Sequence, residues 1–133
     1  MRLEIPSELR FIHLATEFAR EAARGAQFDD VTAGQISVAT DEAVTNVVKH
    51  AYEGKPGHVI RLVAEVQEKE FILRIFHTGR PLKKEAIHLP DMNEYIRKRR
   101  VGGLGLYLMT KLMDSVDYLE GPEHCCEMRK NRE

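Results

Sequence analysis

The sequence predicts an α+β fold: a two-layer sandwich with a mostly antiparallel sheet and its helices packed on one face. Three observations carry this. Hydrophobic periodicity gives the order strand, helix, helix, strand, strand, loop, helix, strand, strand, so helices are grouped and strands adjoin. The strands fall in pairs joined by short polar connections, as hairpins require. The chain has 133 residues, of which 43% are hydrophobic, enough for one core and one domain over residues 1–133. No internal repeat or linker interrupts it.

Composition removes several function classes. With 20 Lys+Arg against 21 Asp+Glu, the formal net charge is -1, and direct nucleic-acid binding is not expected, because affinity there comes from neutralising phosphates. No apolar run approaches the roughly 20 residues that span a bilayer, and the N-terminus lacks a secretory pattern, so no membrane association and a cytoplasmic location are expected. Cys125 and Cys126 are adjacent, which argues against a mutual disulfide and for two reduced thiols on a strand.

Arg2-Leu-Glu-Ile5 alternates and stops at Pro6, a short first strand, and Ser7 stands where a helix cap would. Leu9, Ile12, Leu14, Ala15, Phe18 and Ala22 recur at helical spacing until Gly25, giving a first helix. Asp29 or Asp30 can cap a second helix, whose stripe of Ile36, Ala39, Ala43, Val44, Val47, Val48 and Ala51 carries it to about Tyr52, before Gly54-Lys-Pro-Gly57. Val59–Val66 and Glu70–Phe76 alternate around Gln67-Glu-Lys69 and read as an antiparallel hairpin. Residues 78–100 are polar, contain Pro81 and Pro90 and end in Arg97-Lys-Arg-Arg100, a long loop with a short helix in it; such loops are usually functional. A glycine-opened helix runs from Leu104 to Met113. Val116–Leu119 and Cys125–Arg129 form a closing hairpin around Gly121-Pro122.

Three places can carry chemistry. Glu42 and Asn46 are four residues apart on the second helix and share a face offset from the Ala43/Val47 stripe, which places them at the boundary between core and solvent. A carboxylate that activates a hydroxyl beside an amide oxygen that ligates Mg²⁺ is a sensible pair, although a hydrated helix flank has the same spacing. Gly102-Gly-Leu-Gly105 leads directly into a helix, where free N–H groups and the helix dipole favour an anion, and the preceding basic run can follow a polyphosphate. At Phe76-His-Thr-Gly79, a strand exits into the long loop past one histidine. His50, His58, His88 and His124 are scattered without metal-ligand spacing, so no zinc site is expected.

In this order the three segments resemble the GHKL ATPase fold, of Bergerat type, shared by DNA gyrase and histidine kinases. They resemble more closely the bacterial anti-sigma-factor serine/threonine-protein kinases. Asp41-Glu-Ala-Val-Thr-Asn-Val-Val-Lys-His-Ala-Tyr52 is similar to the N box. Gly102-Gly-Leu-Gly-Leu-Tyr-Leu-Met109, with Leu112-Met-Asp-Ser-Val-Asp-Tyr118, is similar to the second glycine box with its helix and strand. The resemblance implies ATP and Mg²⁺ as ligands, with Asn46 holding the metal and Glu42 as general base toward a substrate hydroxyl. His50, His77 and Gly79 would join the nucleotide site, Gly102, Gly103, Leu104 and Gly105 would cradle the phosphates, and residues 82–101 would form a lid. As partners it implies a sigma factor and a small anti-anti-sigma (STAS) protein, the latter phosphorylated. Helix-flanked surfaces leave a homodimer open as well.

One position departs from the family pattern. Where the family carries Asp-x-Gly, whose aspartate accepts a hydrogen bond from the adenine amino group, this chain reads His77-Thr-Gly79. An imidazole accepts only when neutral, so weaker ATP binding is expected, worsening as pH falls through the imidazole range. The alternative to the kinase is a non-catalytic binding module on the same fold with a degenerate nucleotide site. A histidine-kinase catalytic domain ranks last, since the chain has no phosphoacceptor helix.

Overall fold

The computed structural model describes residues 1–83 and 104–132, with backbone only for Leu104 and Gly105. In chain order these form β1 (Arg2–Pro6), a 3₁₀ turn (Leu9–Phe11), α1 (Ile12–Gly25), α2 (Asp30–Asn46), a π-helical turn (Val47–Ala51), β2 (Val59–Val66), β3 (Glu70–His77), α3 (Leu104–Leu112), β4 (Ser115–Leu119) and β5 (His124–Asn131). The five strands make one sheet in the order β1-β2-β3-β5-β4. All four pairings are antiparallel. This is the expected α+β sandwich. Residues 84–103, which hold most of the long loop with Arg97 and Arg100, and also Gly102 and Gly103, lie outside the described residues.

Alternation assigns the two faces of the sheet. Ile5, Ile60, Leu62, Ala64, Phe71, Leu73, Ile75, Cys126 and Met128 point into one core shared with all three helices. The opposite face carries a chain of ion pairs, Glu65–Arg74–Glu127–Arg129–Glu70. Charged residues keep that face solvated, so the helices pack on one side only. Between α1 and α2 the buried residues are small: Ala15, Ala19, Ala22 and Ala23 on one helix, and Ala33, Ala39 and Ala43 on the other. Small side chains let two helices approach closely.

Element boundaries refine the sequence reading in four informative ways. The first helical segment opens with a 3₁₀ turn, Leu9–Phe11, before regular helix begins at Ile12. Asp29, not Asp30, caps α2, its Oδ1 accepting from Thr32 N–H at 2.7 Å. The second helix does not stay α-helical to Tyr52: from Val47 it widens into a π turn, closed by Tyr52 N–H donating to Val47 O (2.9 Å) and Gly54 N–H to Val48 O (2.8 Å). Hydrophobic periodicity cannot register one widened turn, because the apolar stripe of Val47, Val48 and Ala51 remains buried through it. Finally, β5 begins at His124 rather than Cys125, because His124 pairs in register with His77.

Both cysteines are free and buried. Burial, with a smaller contribution from Glu127, pushes the Cys125 thiol up to about 11, and burial raises Cys126 further. Such thiols are inert at neutral pH.

Candidate functional site

The widened turn explains how the end of α2 meets the end of β3. A π turn displaces its carbonyls from the α-helical ladder, and here Ala51 O accepts instead from Arg80 N–H at 2.8 Å. Gly79 lies directly against this junction. A Cβ at Gly79 would stand 2.5 Å from Ala51 O and 3.0 Å from Tyr52 Cδ1, so only glycine fits. Tyr52 completes the clamp by donating its hydroxyl to Val59 O (3.0 Å) and accepting from Thr78 N–H (2.9 Å).

Around Tyr52 the structure gathers three histidines that the sequence leaves scattered. His58 stacks on the Tyr52 ring at 4.5 Å, Tyr52 meets His77 edge-on at 5.9 Å, and His77 lies 5.4 Å from His124. The pairing of β3 with β5 produces the last contact, and sequence order alone does not reveal which strands become neighbours. Among the described residues no group of three or more His, Cys, Asp or Glu could hold a metal ion.

His77 is only 2% exposed. Gly79 N–H donates to its Nδ1 at 3.2 Å, so that nitrogen is an unprotonated acceptor. Burial first, and His124 second, lower its pKa from 6.5 to about 4. The ring is therefore neutral at physiological pH. The expected weakening of a ligand contact as the imidazole protonates is therefore displaced to lower pH, near 4.

One turn before the π turn lie Glu42 and Asn46. Their common face was expected at the boundary of core and solvent, and Glu42 is there, half-buried. Asn46 is not: α3 packs over it, leaving it 6% exposed. Its amide nitrogen donates only a long bond, 3.9 Å, to Met109 Sδ, and the Tyr118 hydroxyl is its polar neighbour. A thioether is a weak acceptor, so this carboxamide is poorly matched by the protein around it. Tyr118 Oη is itself buried without a hydrogen-bond partner among the described residues, and burial raises its pKa. Burial, then the neighbouring Asp41, raises the Glu42 pKa, with Lys49 opposing. A carboxylate held above its ordinary range is a better proton acceptor toward a hydroxyl.

The remaining expected site residues divide. His50 sits exposed in the π turn, one turn beyond Asn46. The backbone of Leu104 and Gly105 opens α3, the helix whose Met109 meets Asn46. Gly102 and Gly103 lie outside the described residues. Sequence reasoning missed Tyr52, Tyr118 and the placement of His124. Tyr52 closes the segment Asp41–Tyr52, and that position was its only available signal.

The family profile of the histidine kinase-like ATPase domain matches residues 5–130. The chain belongs to this ATPase domain family. Serine-protein kinase RsbW of Staphylococcus aureus is 32% identical over 137 aligned positions, which cover 98% of this chain and 85% of that protein. Serine-protein kinase RsbW of Listeria monocytogenes is 30% identical over 118, covering 86% and 75%. Among solved structures, the histidine kinase domain of the Erythrobacter litoralis EL346 blue-light activated histidine kinase superposes with a TM-score of 0.53 at 19% identity, over 74% of this chain and 44% of that one. That likeness concerns the fold. The histidine kinase-like ATPase architecture thus accounts for the sheet order and for helices on one face, and serine-protein kinases are its relatives in sequence. No helix among the described residues is long and apolar enough to cross a membrane.

Proposed function

We propose that this chain is an ATP-dependent serine/threonine-protein kinase that acts as an anti-sigma factor by partner switching. In this reading it phosphorylates a small anti-anti-sigma (STAS) protein and, when that partner leaves, captures a sigma factor. The observation that carries the reading is the pairing on one helix of Glu42, half-buried with a raised pKa, and Asn46, a buried carboxamide whose amide nitrogen makes a long bond to a thioether. The relatives named serine-protein kinase agree with it.

Phosphoryl transfer is mostly positioning and charge neutralisation. Asn46 would offer its amide oxygen to Mg²⁺, an ion suited to a few hard oxygen ligands and retained water. Glu42 would take the proton of the substrate hydroxyl as its oxygen bonds to the γ-phosphorus and the bond to the β-phosphate oxygen breaks, leaving a phosphoprotein and ADP. The N-terminus of α3, with Leu104 and Gly105, would face the phosphates, and the Gly102 and Gly103 amides would complete that cradle. His77 and Gly79 would meet the base, and the exposed His50 would lie at the mouth.

The test is calorimetric titration of the chain with ATP and Mg²⁺, repeated with Asn46→Ala. Saturable, Mg²⁺-dependent binding that the variant loses supports the reading and leads to a phosphorylation assay on candidate STAS partners. Absence of binding with any nucleoside triphosphate at millimolar concentration overturns it. The second reading, a non-catalytic module acting by partner capture, is favoured by one observation: the imidazole at position 77, where the resemblance implies a carboxylate.

A further inference from the structure

The end of β3 has a fixed hydrogen-bonding polarity. Gly79 N–H already occupies His77 Nδ1, and a neutral imidazole with one acceptor nitrogen carries its proton on the other. His77 Nε2–H is therefore a donor. No acidic side chain among the described residues perturbs this ring; burial and His124 are the influences on it. The edge-on contact with Tyr52, itself bonded to Val59 and Thr78, holds the ring in place.

A second imidazole stands beside it. His124 faces His77 across the β3–β5 pairing, with ring centres 5.4 Å apart. Its Nδ1 is buried without a partner among the described residues. The hydrogen-bonding group that this strand end offers a ligand is thus the His77 Nε2–H donor, with the His124 ring packed behind it.

We propose that this strand end selects a 6-oxopurine nucleotide, with guanine or hypoxanthine as base, over an adenine nucleotide. The inference rests on the reading of the β3 end as the base subsite. Adenine presents an amino donor at C6 and an acceptor at N1, so its amino group meets the His77 donor with a donor. A 6-oxopurine presents the reverse order, with O6 an acceptor and N1–H a donor. O6 accepts from His77 Nε2–H, whereas the adenine amino group cannot. Sites that hydrogen-bond a ligand discriminate strongly against an analogue that leaves their polar groups unpaired.

ATP and ITP make the cleanest comparison, because they differ only at C6 and N1. Titration calorimetry of the full chain with Mg²⁺ and ATP, GTP, ITP or CTP should give GTP and ITP binding about tenfold or more tighter than ATP. His77→Asp, which restores an acceptor, should reverse the order in favour of ATP; the ATP/ITP ratio of the unaltered chain decides the matter even if that variant does not fold. ATP binding as tightly as ITP, or more tightly, overturns the proposal and leaves the kinase reading standing. Equal binding of all four, CTP included, also overturns it, because phosphates alone would then be recognised. Binding of none overturns both.

Discussion

At position 77 a neutral imidazole has consequences for stability as well as for ligand choice. Its pKa is about 4 in the folded protein against 6.5 for the ordinary side chain. Between those values the unfolded chain binds more protons, so stability is complete above pH 6.5 and declines as pH falls toward 4. The groups facing the ring are His124 and Tyr52. Urea unfolding at pH 7 and pH 4.5 should show a loss attributable to His77 of roughly 1–2 kcal/mol, discounted for solvent screening. His77→Gln should remove that part of the drop, and an equal drop in both proteins would show that the ring does not cause it. Glu42 permits a sharper test at the same scale. If it is the general base, Glu42→Gln should lower phosphoryl transfer by about 10²–10⁴-fold while nucleotide affinity stays nearly unchanged. Glu42 and Asn46 were legible from four-residue spacing alone. The burial of Asn46 was not, because it depends on α3, 63 positions later in the chain.

Among the elements, the junction between the π turn and β3 is the least tolerant of change. Gly79→Ala would drive a methyl group into Ala51 O, and overpacking of this kind typically costs about 1–3 kcal/mol. Thermal unfolding should register that loss, together with weaker nucleotide binding, since the same backbone positions His77. The α1/α2 seam makes a contrasting prediction. Ala19→Leu inserts bulk at a fully buried position between closely packed helices. It should destabilise by about 1–3 kcal/mol without changing the base preference, and a shift in that preference would mean the seam and the strand end are coupled. Helix α2 and hairpin β2–β3 could be read directly from periodicity and from Asp29. The π turn could not, because a one-residue expansion leaves the apolar stripe continuous.

Across the whole molecule, sequence order and spatial order diverge at one place: β5 inserts between β3 and β4. Alternation identifies strands and their faces, but it does not identify neighbours separated by a long loop. For that reason the fold class was legible while the pairing of His77 with His124 was not. The open sheet face supplies a prediction at this scale. Burial raises the Glu127 pKa, but hydrogen bonds from Arg74 and Arg129 more than offset this and leave it lowered. Glu127→Gln should lower the thermal midpoint, and most of the gap from the unaltered chain should persist at high salt, because partly buried pairs are screened much less than exposed ones.

The clamp at Tyr52 has a kinetic corollary. The amides of Tyr52 and Gly54 are protected by bonds that close the π turn, and those of Thr78 and Arg80 by bonds that wrap the end of β3 onto that turn. None of the four can open without loosening that shared wrap. In deuterated solvent they should therefore exchange as a single cooperative unit, at one common rate, and a ligand seated at the strand end should slow all four together.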